Sequence, residues 1–140
     1  MNRKRRTEIL IQNGGNLAKE LAEVIKKKYE YQPISEPEYG LTMIKMRESA
    51  KKSLFYIGEV MVTEAKVEIN QSIGIGIVIG MEDELAQHLA IIDAAYRANL
   101  PETVEWEPVL ETTAKQLEEQ RAREQRVIFE TKVDFETMEV

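Results

Sequence analysis

The chain contains no cysteine and only one histidine, and each scarcity removes a class of chemistry. Without cysteine there is no disulfide framework and no thiolate nucleophile or metal ligand. A single imidazole cannot build a zinc centre, which needs three or four ligands at set spacing. No apolar run approaches the ~20 residues of a membrane-spanning helix. The opening MNRKRRTEILIQNGG carries a basic segment, but its apolar stretch is too short for a signal sequence and no small-residue cleavage site follows. A cytoplasmic protein is expected. Positive charge is not in excess either: 19 basic residues stand against 25 acidic ones, a formal charge of −6. Residues 1–100 balance at 14 of each sign, so residues 101–140 hold the whole acidic excess. The basic clusters Arg3-Lys4-Arg5-Arg6, Lys26-Lys27-Lys28 and Lys51-Lys52 read as solvated helix ends and a hairpin tip, not as a nucleic-acid footprint. Nucleic acid and membrane are therefore excluded as partners. There is no internal repeat and no low-complexity segment.

What remains is an ordinary globular composition, 43% hydrophobic and 31% charged. A chain of this size forms one domain and buries roughly two thirds of its unfolded surface. Residues 3–12 and 17–29 predict two helices broken by Asn13-Gly14-Gly15, with Asn16 as N-cap of the second. Leu17, Leu21, Val24 and Ile25 give that helix one apolar face. YQPISEPEYG (31–40), with two prolines and a glycine, predicts a turn-rich connector. LTMIKMRE (41–48) begins a strand, and SAKKS (49–53) makes a polar hairpin loop. In 54–70 the alternation changes phase twice. Phe55 and Ile57 share one phase, Val60 and Val62 the opposite one, and Val67 and Ile69 return to the first. A β-bulge at Gly58-Glu59 accounts for such a shift. Asn70-Gln71-Ser72 turns the chain into a strand over 73–80.

From Met81 the period becomes helical. Acidic residues open the helix, and Leu85, Leu89, Ile92 and Tyr96 form its stripe. A second long helix follows Pro101, over 103–129, with Val104, Trp106, Val109, Leu110 and Leu117 able to face a core. Residues 118–126 offer only Ala122, so this stretch projects into solvent or bridges to a partner. The expectation is an α+β fold: an antiparallel β-meander of about four strands packed against helices, an N-terminal helix pair, and a long C-terminal helix with an extended tail. Residues 1–126 form the single domain and 127–140 a C-terminal arm.

VEINQSIGIGIVIG (67–80) invites a nucleotide-phosphate reading. A dinucleotide fingerprint places glycines at the first, third and sixth positions, in a loop that opens a helix. Counting from Gly74, the sixth position is Ile79, and Gly80 arrives one residue late. Ile73, Ile75, Ile77 and Ile79 alternate with Gly74, Gly76, Val78 and Gly80, so this is a strand with one nearly bare face. A bare face admits a close backbone or helix. His88 has only Glu84 among its turn neighbours as a further ligand and reads as a half-exposed structural histidine. Glu82, Asp83 and Glu84 are explained as a helix first turn. Asp93 follows two isoleucines, where a carboxylate needs a partner or the edge of the core. Glu59 and Glu64 flank the phase change. No nucleophile–base pair and no metal cluster can be identified, so no catalytic residue and no metal ligand is assigned.

Three stretches in order carry a resemblance: PEYGLTMIKMRES (37–49), IGEVMVTEAKVEI (57–69) running on through IGMEDELAQHLAIIDA (79–94), and KVDFETM (132–138). The matching features are Pro37 and Gly40, then Gly58-Glu59-Val60 and Val62-Thr63, then Gly80 before the helix. Ile92-Asp93-Ala94 lies within the helix, and Val133-Asp134-Phe135 with Thr137-Met138 closes the chain. Together these resemble the G-subunit (PhnG) family of the bacterial carbon–phosphorus lyase system, which degrades phosphonates. The likeness covers residues 37–98 and the tail; over 1–36 and 101–131 only the pattern of helices agrees. The glycine-alternating strand 73–79 is not part of that family pattern.

The resemblance implies a subunit that works with the H, I, J and L subunits. That system displaces adenine from ATP by an alkylphosphonate, giving a ribose 1-alkylphosphonate 5-triphosphate. ATP is then a substrate of the complex, and this chain alone binds no cofactor. Gly58, Glu59, Thr63, Gly80, Asp93, Val133, Asp134, Phe135, Thr137 and Met138 become family-motif or interface candidates. The alternative is a free-standing homodimeric ligand-binding α+β domain without enzymatic activity, with the bare strand face as its pocket.

Overall fold

The computed structural model describes the backbone of residues 1–47 and 54–138, and side chains over 1–43 and 58–126. Its elements in chain order are α1 (Arg3–Gln12), α2 (Asn16–Lys28), β1 (Gln32–Arg47), β2 (Leu54–Ile69), β3 (Ser72–Ile79), α3 (Asp83–Arg97) and α4 (Glu102–Met138). The α+β reading stands, with three antiparallel strands in the order β1-β2-β3 among the described residues rather than about four. The expected SAKKS loop (49–53) lies outside the described residues.

The N-terminal helix pair follows from local chemistry. Asn2 caps α1 by accepting the Arg5 amide at 2.8 Å. Gly14 and Gly15 then take φ of +94° and +89°, a left-handed conformation that side chains oppose, and the chain reverses into α2. The cap of α2 is not Asn16, which is its first helical residue. Asn13, three residues earlier, accepts the Leu17 amide at 3.0 Å. Ala18, Leu21, Ala22 and Ile25 form the buried stripe of α2, packed against α3.

The segment 31–40 is strand, not connector. The prolines are accommodated because β1 is an edge strand with irregular pairing. Its register against β2 slips between Pro33 and Ser35 and again between Ser35 and Glu38. A third slip leaves Ile57 of β2 unpaired, one residue before the expected Gly58-Glu59 bulge. The second expected phase change does not occur in β2. Thr63, Ala65, Val67 and Ile69 are all buried on one face, and β2 pairs with β3 without interruption from Val62–Ile79 to Ile69–Ser72. Small and polar residues at 63 and 65 disguised the core face, while the half-buried Val60 and Val62 lie on the other. Asn70 and Gln71, at φ of +49° and +67°, make the two-residue turn whose twist suits a hairpin.

The bare face of β3 is covered by α3. Ala86, Ala90 and Ala94 recur at four-residue spacing and bring the helix backbone onto Gly74 and Gly76, where an added Cβ would overlap the main chain of Ala86, Ala90 and Ala94. This closeness puts α3 at the centre of the molecule, with β2 and β3 on one side and α2 on another, and nine of its fifteen residues are buried.

In α4 the buried stripe is Thr103, Trp106, Leu110 and Thr113, with Leu117 half-buried, whereas Val104 and Val109 face solvent. The backbone of α4 continues helical through Met138, so 127–138 is not the expected extended tail. A charged helix needs no apolar face to propagate once its first turns are anchored by Trp106 and Leu110.

Candidate functional site

Asp93 is the most heavily engaged polar group of the described structure. It sits in the third turn of α3, 5% exposed. Its Oδ2 accepts from Arg3 Nη2 at 2.9 Å and from the Ile75 amide of β3 at 2.9 Å, and its Oδ1 accepts from Arg6 Nη2 at 3.1 Å. Arg97 Nε, one turn further along α3, lies 3.6 Å from Oδ2. A buried carboxylate must be paired and hydrogen-bonded to be tolerated, and here three guanidiniums and a backbone amide share the task. Arg6 is itself buried and lies 3.8 Å over the ring of Tyr96, which meets Trp106 of α4 at 5.7 Å. Burial pulls the Arg6 guanidinium below its ordinary value, opposed by Tyr96 and Asp93. Burial, with Glu107, pushes the Tyr96 phenol upward against the pull of Arg6. The knot joins α1, β3 and α3 directly and reaches α4 through the aromatic pair. With both oxygens engaged, Asp93 is an organiser rather than a proton acceptor for a substrate.

Thr63 and Gly80 are brought together at the entry to α3. The Thr63 hydroxyl donates to the Gly80 carbonyl at 2.5 Å and accepts the Glu82 amide at 3.1 Å. Gly80 takes φ of +93° and donates its amide to Met61 at 2.8 Å. One buried hydroxyl thus fastens the β3–α3 turn to β2. Tyr39 of β1 adds a hydrogen bond to Asp83 at 2.5 Å, which raises the phenol's pKa.

His88 is not half-exposed: it is buried, at 7%. It lines a pocket of about 260 Å³ with Gly14, Gly15, Asn16, Lys19, Glu82, Glu84 and Leu85. Burial lowers its pKa first of all, with Lys26 and Lys19 acting the same way and Glu84 and Glu23 opposing. Two larger clefts flank the core. One, about 650 Å³, lies between the end of α2 and the β2–β3 turn, lined by Lys26, Tyr29, Tyr31, Glu68 and Asn70 among others. The other, about 510 Å³, lies between α1 and the β3 residues Ile75 and Ile77.

The remaining motif candidates do not join these clusters. Gly58 and Glu59 follow the bulge in β2, with Glu59 exposed opposite Met43 of β1. Val133, Asp134, Phe135, Thr137 and Met138 lie on the backbone of α4, and their side chains fall outside the described residues. The bare strand face is no pocket, because α3 fills it. Sequence reasoning missed Arg3 and Arg6, taking their cluster for a solvated helix end. Their three-residue spacing puts both on one face of α1, a usable signal. Their partner, however, lies 90 and 87 residues away.

Comparison with known proteins extends the likeness over the whole chain. A family model described as phosphonate metabolism protein PhnG matches residues 1–139. Among curated proteins, the alpha-D-ribose 1-methylphosphonate 5-triphosphate synthase subunit PhnG of Rhizobium meliloti (strain 1021) is 30% identical over 122 residues, which is 83% of this chain and 74% of that protein.

Proposed function

This chain belongs to the PhnG family of phosphonate metabolism proteins, and from that premise we propose that it is a subunit of a complex that makes ribose 1-alkylphosphonate 5-triphosphates. In that reaction an oxygen of the alkylphosphonate bonds to C1′ of ATP, the glycosidic bond breaks, and adenine departs with a proton. The H, I, J and L subunits are the proposed partners, ATP is the complex's substrate, and this chain holds no cofactor of its own. Its contribution is structural or co-catalytic, and its place is the cytoplasm.

One observation carries the assembly reading. Leu41 and Met61 are cross-strand partners in the β1–β2 hairpin, and they are 69% and 42% exposed, next to the exposed Met43. They continue the face of the sheet that α3 covers further along, but here both side chains stand in solvent. An apolar rung left uncovered on a well-packed domain is surface awaiting a partner. Motif residues Thr63 and Asp93 support the same division of labour, since both are consumed inside the fold.

Co-expression with the other subunits tests the reading. The wild-type chain should co-purify with them, and the assembly should release adenine from ATP and methylphosphonate while the isolated chain does not. Leu41→Ser with Met61→Ser should leave the chain folded, its stability within about 0.5 kcal/mol per site, and weaken co-purification. Adenine release by the pure chain, or undiminished capture of the double variant, would overturn the respective half of the proposal.

A further inference from the structure

β3 turns its apolar face away from the domain's own core. Its glycines Gly74 and Gly76 lie under α3, so Ile73, Ile75, Ile77 and Ile79 point to the opposite side of the sheet. Ile73, Ile77 and Ile79 are 44%, 51% and 68% exposed. Val62 of β2, the cross-strand partner of Ile79, extends the row. An antiparallel sheet with one face in water normally reads polar on that face. Here four isoleucines in a row do the opposite, and Ile11 of α1 adjoins them across the cleft of about 510 Å³.

The charges on this face are lopsided as well. Beside the isoleucines β2 carries Glu64, Lys66 and Glu68, and Glu38 of β1 stands directly opposite Glu64. Like charges placed opposite each other across two strands cost stability. Lys66 reaches Glu64 at 3.6 Å, but neither Glu38 nor Glu68 has an ion pair among the described residues. On the α1 side Arg3 is tied to Asp93, and Lys4 and Glu8 are of opposite sign, so neither sign prevails there. The face is thus apolar along β3 and acidic along β1 and β2.

We propose that this open face docks a segment of a partner protein that presents an apolar row beside a basic one. The apolar row would cover Ile73, Ile77 and Ile79, while its lysines or arginines would come between Glu38 and Glu64 and reach Glu68. Two other occupants fit less well. A strand added to the edge of β3 meets Asp93, whose carboxylate already holds the outward Ile75 amide halfway along. A second copy would bring the same three glutamates against a single Lys66, and so no basic row. The proposal rests on the subunit reading only for where the partner is sought, among the H, I, J and L subunits. It concerns the side of the sheet opposite the Leu41–Met61 rung.

The full chain is co-expressed with those subunits, and its capture is quantified at low and at high salt. The wild-type chain should be captured, and less so at high salt. Ile77→Gln with Ile79→Gln, at exposed positions, should cut capture by roughly tenfold or more with the circular dichroism unchanged. Glu38→Lys gives the distinguishing readout. It relieves the like-charge pair, so the variant's melting temperature should match or exceed the parent's while its capture falls. A face with only a structural role would show no loss of capture in a chain that is no less stable. Undiminished capture of the isoleucine variant would overturn the docking face, and undiminished capture of Glu38→Lys would overturn the basic partner. Sedimentation of the isolated chain tests the second copy: a dimer that the isoleucine variant dissolves would overturn the proposal. If the wild-type chain is not captured at all, the subunit reading fails and this proposal with it.

Discussion

The α3-centred core and the distal end of the β1–β2 hairpin belong to one sheet, yet they treat their residues in opposite ways. Around α3 every described polar motif residue is engaged: Asp93 by three arginines and an amide, Thr63 by the Gly80 carbonyl and the Glu82 amide. Past Thr63 the same two strands carry Leu41, Met43 and Met61 into solvent. The difference separates residues that make the fold from residues the fold presents. Leu41, Met43 and Met61 stand side by side on one face rather than singly, so the second set is where assembly is to be sought.

The comparison breaks most violently at β3. Gly76→Val places a side chain where the backbone of Ala86 and Ala90 already lies, and α3 can move only by disturbing the whole core. The loss should exceed about 3 kcal/mol, the upper end of ordinary overpacking, and urea denaturation would read it. Stability close to the parent's would mean that α3 does not ride on the glycine face.

A smaller loss is expected at the ionic knot. Asp93→Asn keeps the shape and an acceptor for the Ile75 amide but leaves Arg6 buried without its counter-charge. Removing one partner of a buried pair costs about 3–5 kcal/mol, and the retained hydrogen bonding puts Asp93→Asn at the lower end. An unchanged melting temperature would show that the arginines are satisfied elsewhere.

The smallest effect sharpens the comparison through pH. His88 titrates lower in the fold than its ordinary 6.5 because burial disfavours the charged ring. The unfolded chain therefore takes up a proton before the folded one does. Stability should be at its full value above about pH 6.5 and should decline as the pH falls from there toward the folded pKa, then level off for this group. His88→Gln should remove that component of the acid-side decline and leave the rest. Identical pH–stability profiles for the variant and the parent would place the histidine in water-like surroundings.

These contrasts also mark what a reader of the sequence could see. The helix pair and its Gly-Gly break were legible because periodicity and left-handed glycines are local signals. So was the tight cover of the glycine strand, since Ile–Gly alternation states that one face has no side chains. β1 was misread because Pro33, Pro37 and Gly40 mark turns in isolation, and only pairing with β2 makes them an irregular edge strand. The face of β2 was obscured where Thr63 and Ala65 stand at core positions. Asp93 announced that it needed a partner but not which one, because Arg3 and Arg6 lie nearly two thirds of the chain away. The side chains of the closing motif Val133-Asp134-Phe135 fall outside the described residues, and their role stays with the subunit proposal.

The ionic knot has a consequence in time as well as in space. Arg3 and Arg6 are synthesised well before their partner, since Asp93 follows 90 and 87 residues later. Until α3 is synthesised and laid on β3, α1 has no carboxylate to grip and the outward amide of Ile75 has no acceptor. α1 is therefore locked late, and the Ile75 amide on the edge of β3 stays open to strand pairing until α3 is in place. The delay is a property of chain order: a circular permutant that begins at β1 would make Asp93 before Arg3 and Arg6, so the Ile75 amide would find its acceptor while the carboxylate still waited for its arginines.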